Sequence, residues 1–173
     1  CVYSYTKRFT ELAHLVLGLS LGIAPVGAYL AVTGAWSEPW WALPLLAAAV
    51  MLWVAGFDII YSLQDVEFDR LQRLRSVPAR IGVANALRLA RASHAAAVVA
   101  FGSILFAGWI PVGWVYLAGV GVMAVVLHLG HATIGRPDRP DLDVRTIDRA
   151  FFRTNVIVSS AFFAFTLLDR LIA

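Results

Sequence analysis

The sequence predicts an all-α integral membrane protein, a helical bundle with five transmembrane helices. Apolar residues make up 60% of the chain and charged residues 14%, whereas charged residues are about a quarter of a soluble globular protein. Five apolar runs are long enough to cross a hydrocarbon core, which takes about 20 helical residues. Strands of a transmembrane β-barrel would alternate apolar and polar residues over about ten positions, and no such alternation occurs.

The predicted spans follow the five apolar runs in order along the chain. They are Leu12–Gly34, Trp41–Leu63, Ala84–Ala107, Trp109–His131 and Phe151–Ala173. Pro25 lies among small residues in the first run, which favours a kink or a close helix contact over a break, because neighbouring helices satisfy the backbone groups that proline frees. Glycine, two prolines and mixed charges in Ile134–Ile147 predict a loop between the last two spans.

Residues 1–173 are treated as one membrane domain, because no internal repeat or linker-like composition divides them. No start methionine, charged leader segment or cleavage site precedes the first apolar run. We therefore expect the chain to be an N-terminally truncated part of a longer protein.

The cations lie almost entirely on one side of the predicted bundle. Thirteen of the 14 lysines and arginines precede the first span or lie in and beside the second and fourth connections, whereas the opposite connections carry only Glu38. The positive-inside rule places the cationic side in the cytoplasm, so we expect a protein of the cytoplasmic (inner) membrane. Because these arginines occupy short membrane-proximal connections rather than a basic domain, we expect membrane lipid and no nucleic acid as a partner.

Three carboxylates recur at the cationic end of the second predicted span, in a chain with only 11 acidic residues. At about 100° per residue, Asp58, Asp65 and Asp69 fall within about 40° of one another around a continuous helix. An acidic stripe on an apolar helix at the membrane surface carries a cost of repulsion and desolvation that a bound cation offsets. Oxygen ligands of this kind suit Mg²⁺, so the three aspartates are the candidate catalytic and metal-ligating residues.

Spacing separates the expected roles of these acids. Asp65 and Asp69 are four residues apart and about 6 Å from each other on a helix surface, so we expect them to hold the metal. Asp58 lies about 16 Å from Asp69 along a straight helix, and we expect it to serve a second ion or to support the first. The alternative is that Asp65, Glu67 and Asp69 pair with nearby arginines as an ordinary solvated surface.

Further side chains on the cationic side are candidates for binding an anionic substrate. Lys7 and Arg75 project from two different connections, and a divalent ion flanked by lysine and arginine is suited to phosphate. For Arg8 a simple membrane anchor is the favoured interpretation. Tyr61 shares the broad face of Asp58, one turn along, where it either faces the substrate or packs against another helix.

The four histidines give a weaker signal. His128 and His131 are three residues apart, a spacing that allows a shared metal, but no third ligand is spaced nearby and interfacial polar residues are the favoured interpretation. His14 and His94 are single histidines in apolar spans, and we expect each to form a hydrogen bond to a neighbouring helix.

The acidic pattern and its flanking segments resemble a known family. The pattern Asp58-x-x-Tyr61-x-x-x-Asp65-x-x-x-Asp69 resembles the second aspartate-rich motif of the UbiA superfamily of intramembrane aromatic prenyltransferases. Support comes from the segments Tyr3–Thr10, His14–Pro25 and Arg75–Gly82. The likeness extends to the C-terminus. Within the superfamily, the chain resembles the polyprenyltransferases that modify 4-hydroxybenzoate or a related naphthoate in quinone biosynthesis.

The resemblance implies a nine-helix fold, of which this chain is similar to the last five helices. It implies Mg²⁺ as cofactor and a polyprenyl diphosphate and an aromatic acid acceptor as substrates, with magnesium-assisted ionisation of the donor followed by electrophilic aromatic substitution. It also implies metal or diphosphate roles for Asp65 and Asp69, a second carboxylate role for Asp58, and diphosphate contacts for Lys7 and Arg75. The family's first aspartate-rich motif is absent, so we expect this chain alone to be inactive.

Other functions are alternatives. A small cation transporter with Asp58 on its ion path would require a second carboxylate facing Asp58 from another span, and no other predicted span has one in its interior. A lipid head-group phosphotransferase would carry an Asp-x-x-Asp-Gly pattern, which is missing. A non-catalytic membrane fragment is the remaining alternative.

Overall fold

A computed structural model describes residue 10 and residues 12–108, 110–140 and 142–172. Within these ranges, five helical segments are long and apolar enough to cross a membrane, which confirms the predicted all-α membrane bundle. The helices are α1 (Ala13–Thr33), α2 (Ala42–Tyr61), α3 (Val66–Leu71), α4 (Val77–Ile81), α5 (Val83–Ala107), α6 (Trp114–Ile134), α7 (Val144–Asp148) and α8 (Thr154–Ile172).

The first three predicted spans agree with the observed helices, and the fourth is shifted along the chain. α1 continues through Pro25, as expected. α6 begins at Trp114, five residues later than predicted, because Pro111 and Gly113 disfavour a helix in the segment before it. It then continues to Ile134, the first residue of the predicted loop.

The prediction of a loop over Ile134–Ile147 is wrong at the C-terminal end of that segment. Two-residue strands, β1 (Gly135–Arg136) and β2 (Arg139–Pro140), form a short antiparallel hairpin, and α7 then begins at Val144. The helix begins there because the carboxylate of Asp143 accepts a hydrogen bond from the backbone N–H of Arg145 over 3.1 Å. A wider π-helical turn joins α7 to α8.

The long helices pack in pairs that position the polar residues. α1 packs along α2, α2 along α5, and α6 along α8. Their shared core is apolar and contains Ile60, Leu87, Met123 and Val158, all nearly inaccessible. We use the term cationic end for the end of the bundle at which α2 and α6 finish and α5 and α7 begin.

The opposite end of the bundle is tied together by Asp169 of α8. Its carboxylate accepts hydrogen bonds from the backbone N–H groups of Gly113, over 2.7 Å, and Tyr116, over 3.0 Å. These groups belong to the start of α6, where backbone N–H groups lack helical partners. The hydroxyl of Tyr116 in turn donates to the carbonyl of Phe101 on α5 over 2.7 Å. One carboxylate therefore joins α8 to α6, and α6 is held to α5 beside it.

Two glycines allow α1 and α2 to approach closely. A Cβ atom added at Gly22 would lie 2.5 Å from the carbonyl oxygen of Ala47, and one added at Gly18 would meet the carbonyl oxygen of Met51. Both obstacles are backbone atoms, which cannot move aside as a flexible side chain would. This four-residue spacing of small residues is typical of helix pairs in membranes, and it holds α1 against the segment that carries Asp58.

Replacing either glycine tests this packing. We expect Gly18→Ala and Gly22→Ala each to lower the free energy of unfolding by about 1–3 kcal/mol, because the added methyl group forces the helices apart. The measurement is a denaturation curve of the purified chain in detergent micelles. Gly27→Ala is the matched control, since a Cβ there meets nothing within 4 Å. Equal stability of all three variants would contradict the close approach of α1 and α2.

Candidate functional site

The chain does not form one continuous helix through the three aspartates. α2 ends at Tyr61, a 3₁₀ segment runs from Ser62 to Asp65, and α3 follows. A 3₁₀ segment turns by about 120° per residue instead of about 100°, so the residues after it are rotated relative to those before it. The prediction of a single acidic stripe on an uninterrupted helix is therefore wrong.

The three aspartates have different surroundings. The side chain of Asp58 is 14% exposed, Asp65 is exposed to solvent, and Asp69 is only 2% exposed. The alternative of an ordinary solvated surface fits Asp65 and the exposed Glu67. Asp69 is buried, so it is not part of a solvated surface, and the arginines with which the alternative pairs it surround it in one cavity.

Asp58 is hydrogen-bonded to a histidine of the neighbouring span. The Nδ1–H of His14 on α1 donates to Oδ2 of Asp58 on α2 over 2.6 Å, and the imidazole is almost completely buried. Because Gly18 and Gly22 bring α1 against α2, the two side chains meet within the membrane-spanning segments. The expectation that His14 bonds a neighbouring helix is confirmed, and its partner is one of the predicted site residues.

Asp69 and Arg75 lie in the wall of one cavity at the cationic end. The cavity has a volume of about 300 Å³, and its charged wall consists of one carboxylate and four guanidinium groups, from Asp69, Arg70, Arg73, Arg75 and Arg80. Four positive charges against one negative charge leave a formal excess of three positive charges. Such a wall favours an anion with several oxygen atoms, since guanidinium groups bind phosphate through paired hydrogen bonds.

The connection between α3 and α4 brings these arginines together. Arg73 adopts a left-handed conformation with φ of 54°, and the backbone N–H of Leu74 returns to the carbonyl of Asp69 over 2.8 Å. The chain therefore reverses directly after α3. This reversal places Arg75 in the same cavity wall as the residues that precede it, and α4 adds Arg80 to that wall.

Tyr61 lines a second cavity at the same end, with a volume of about 450 Å³. Its ring lies 4.8 Å from that of Phe151, centroid to centroid, and Arg149 and Arg153 contribute positive charge to the wall. Gln64 of the 3₁₀ segment donates a hydrogen bond to Asp148 at the end of α7 over 3.1 Å. The cavity is thus formed between the end of α2 and the entry to α8.

The structure brings together only some of the predicted site residues. Asp69 and Arg75 share a cavity, whereas Asp58 and Tyr61 have other surroundings and Asp65 faces solvent. Lys7 lies outside the described residues. No group of three or more histidine, cysteine, aspartate or glutamate side chains converges on a possible metal position within the described part of the chain.

Two parts of this arrangement were not predicted from the sequence. The first is the pairing of Asp58 with His14, although a lone histidine in an apolar span is itself a signal of a buried partner. The second is the contribution of Arg80, Arg149 and Arg153 to the cavity walls. The four-residue spacing of Arg149 and Arg153 at the start of the last span indicates a shared helix face. That spacing is visible in the sequence and could have identified both residues.

His94 also confirms its expected interhelical bond, whereas His131, expected to be an interfacial polar residue, is buried. His94 on α5 contacts the carbonyl oxygen of Trp53 on α2 over 3.2 Å and Nε2 of His131 on α6 over 2.9 Å. His131 thus pairs with another helix, and it forms no group of three metal ligands with its neighbours in the described residues.

Sequence comparison identifies the family. The pattern of the UbiA prenyltransferase family matches residues 1–156 of the 173. This chain belongs to the UbiA prenyltransferase family. No solved structure matches it at a significant level.

The similar curated proteins are named as prenyltransferases of 4-hydroxybenzoate. The 4-hydroxybenzoate octaprenyltransferase of Methylobacillus flagellatus is 28% identical over 92% of this chain and 50% of its own length. The enzyme of the same name from Alcanivorax borkumensis is 29% identical over 80% of this chain and 46% of its own length. The 4-hydroxybenzoate solanesyltransferase of Synechocystis sp. is 35% identical over 39% of this chain and 22% of its own length. This UbiA-family chain spans about half the length of the first two relatives.

The bond between Asp58 and His14 makes a specific prediction about stability. We expect His14→Ala and Asp58→Ala each to lower the free energy of unfolding by about 1–3 kcal/mol, because each leaves a largely buried polar partner behind. The measurement is a double-mutant cycle in detergent micelles, in which the double variant is less destabilised than the sum of the two single variants. His128→Ala, at an exposed position, is the control. Simple additivity would contradict the bond.

Proposed function

We propose that this UbiA-family chain is part of an enzyme that transfers a polyprenyl group from its diphosphate to an aromatic acid. The observation that carries the proposal is the buried carboxylate of Asp69 in a cavity whose other charged residues are four arginines. Family membership supports prenyl transfer, and the relatives named for 4-hydroxybenzoate support that acid as the acceptor.

In this proposal, the arginine cavity binds the diphosphate of the donor. We assign the terminal oxygens to Arg75 of the connection and Arg80 of α4, which both line the cavity. Guanidinium groups stabilise the charge that accumulates on diphosphate as the allylic carbon–oxygen bond breaks. The protein needs no nucleophilic side chain, since the aromatic ring of the acceptor attacks the resulting carbocation. The ring then loses the proton from the attacked carbon, and the released diphosphate or water accepts it.

The carboxylates of this cavity suit a Mg²⁺ ion that the protein and the substrate bind together, rather than one that the protein alone encloses. The described residues offer carboxylates but no group of three ligands, and magnesium in such sites is bound by one or two carboxylates together with substrate phosphates and water. Asp69 would hold the ion from the cavity wall, and Asp65, four residues before it, is the second carboxylate that the proposal assigns to the ion. When bound, the ion would neutralise negative charge on the leaving diphosphate.

The aromatic residues near the cavities differ in their availability to the substrate. Phe57 is buried in the core and packs 4.5 Å from the ring of His94, centroid to centroid. Tyr61 is 43% exposed and lines the second cavity. An accessible aromatic face stabilises a nearby carbocation by up to about 2 kcal/mol when desolvated. Tyr61 is therefore the candidate for this role, and Phe57 is a packing residue.

We place the enzyme in the cytoplasmic membrane with its cationic end toward the cytoplasm. The support is the positive-inside rule, because the described arginines other than Arg170 lie in or near the connections at that end. A cation transporter is less well supported. The carboxylate of Asp169, on the last span, lies at the opposite end of the bundle from Asp58 and caps α6.

Binding of an unreactive donor analogue tests the proposal. We expect geranyl thiodiphosphate to bind the purified chain in micelles, and Arg75→Gln to weaken binding by tenfold or more, since a hydrogen bond between charged groups contributes about 1.5–3 kcal/mol. Asp69→Asn should abolish the gain in affinity that Mg²⁺ produces. Without Mg²⁺ the same variant should bind the analogue at least as tightly as the wild type, because a negative charge has been removed from the cavity.

The control is Glu67→Gln, which removes a charge from the exposed face of the same short helix and should leave both affinities unchanged. A loss of affinity that appears only in the presence of Mg²⁺ identifies Asp69 as a metal ligand. A residue that only maintains the fold would weaken binding in both conditions. Equal weakening by Asp69→Asn with and without Mg²⁺, or undiminished binding by Arg75→Gln, would contradict the assignment.

A further inference from the structure

A cavity between α5 and α6 lies outside the site of the proposed reaction. It has a volume of about 630 Å³, and the arginine cavity is formed by other elements, namely α3, α4 and their connection. The charged and titratable groups in its wall are two arginines and three histidines, and the wall contains no carboxylate. A cavity with this composition favours an anionic ligand.

One end of the cavity is polar and contains atoms without hydrogen-bond partners. Arg91 is fixed because its Nη2 group donates to the carbonyl of Gly135 over 2.5 Å. Its Nε atom is buried and forms no hydrogen bond within the described structure. Arg136 and His128 are exposed beside it. Two positive charges and an unused donor therefore converge at the cationic end.

A histidine pair supplies a hydrogen-bond acceptor at the same place. The carbonyl of Trp53 only accepts hydrogen bonds, so Nε2 of His94 carries the proton in the contact between them. With both rings neutral, Nδ1 of His94 then accepts from Nε2 of His131 over 2.9 Å. This leaves Nδ1 of His131 unprotonated. That atom is buried without a hydrogen-bond partner among the described residues, in a side chain only 8% exposed.

The other end of the cavity is apolar and lies deeper in the bundle. Its wall there includes Val98 on α5 and Leu127 on α6. At about 1.5 Å per residue, Val98 lies about 10 Å from Arg91 along the helix. The cavity thus changes from charged to apolar with increasing depth, in the same order as a phospholipid changes from head group to acyl chain.

We propose that this cavity binds an anionic phospholipid whose head group carries a hydroxyl. The phosphate is bound by Arg91 and Arg136, the head-group hydroxyl donates to Nδ1 of His131, and the first part of an acyl chain lies against Val98 and Leu127. Basic pockets between transmembrane helices are suited to anionic lipid head groups. A metal ion is not the ligand favoured here, because no group of three metal ligands forms within the described residues.

Titration with short-chain lipids tests the proposal. The purified chain in detergent is titrated with dioctanoyl phosphatidylglycerol, and parallel samples receive dioctanoyl phosphatidylcholine or inorganic phosphate, with the melting temperature as the readout. We expect a saturable rise with phosphatidylglycerol and at least tenfold weaker binding of the other two ligands. Arg91→Gln and Arg136→Gln should each weaken binding of phosphatidylglycerol by about fivefold.

Matched variants separate this site from general surface charge and from damage to the fold. Arg88→Gln removes the same charge from α5 one turn away, at an exposed position outside the cavity wall, and should have no effect. Ala95→Phe fills the cavity from an exposed wall position without a change of charge, and should weaken lipid binding. Asp69→Asn should leave it unchanged, which keeps this test independent of the proposed prenyl transfer.

Arg136 is exposed, so Arg136→Gln keeps the test valid even if the substitution of Arg91 prevents folding. Undiminished binding by Arg136→Gln and Ala95→Phe would overturn the proposal. Equal weakening by Arg88→Gln would show a diffuse surface effect and would also overturn it. A shift with inorganic phosphate as large as that with the lipid would assign the cavity to a free anion instead.

Discussion

The geometry of the polar end of this bundle follows from the 3₁₀ segment after Tyr61. This segment adds rotation between Asp58 and the residues of α3, so Asp58 and Asp69 do not share the face that a continuous α-helix would give them. Asp65 is exposed to solvent, whereas Asp69 is buried. A buried carboxylate is tolerated in such a place only with compensating charge. The reversal at Arg73 supplies that charge by returning the chain, with its arginines, to the cavity.

Polar residues elsewhere in the bundle hold the long helices together. His14 bonds Asp58 across the close contact of α1 and α2, and His94 joins α2 to α5 and, through His131, to α6. Asp169 caps the far end of α6. In a membrane the apolar surfaces give little preference for one helix partner over another, so close packing and interhelical hydrogen bonds decide the arrangement.

Sequence reasoning predicted what depends on local composition, namely the five spans, the uninterrupted helix through Pro25 and the positions of the acids at one end. It did not predict features that depend on two distant segments meeting. The 3₁₀ segment is stabilised where Gln64 contacts Asp148, 84 residues away, and the partner of Asp58 lies 44 residues before it. Arg75 was identified because it follows the acidic motif directly, whereas Arg149 and Arg153 required the fold.

The positions of the divalent ion and the diphosphate decide whether Asp69 and the arginine cavity form the donor site. They can be seen in an anomalous difference map from crystals grown with Mn²⁺ in place of Mg²⁺ and with geranyl thiodiphosphate. We expect a metal peak within ligand distance of Asp69 and diphosphate density between Arg75 and Arg80. A peak beside Asp58 and His14, or diphosphate density outside the arginine cavity, would contradict this assignment.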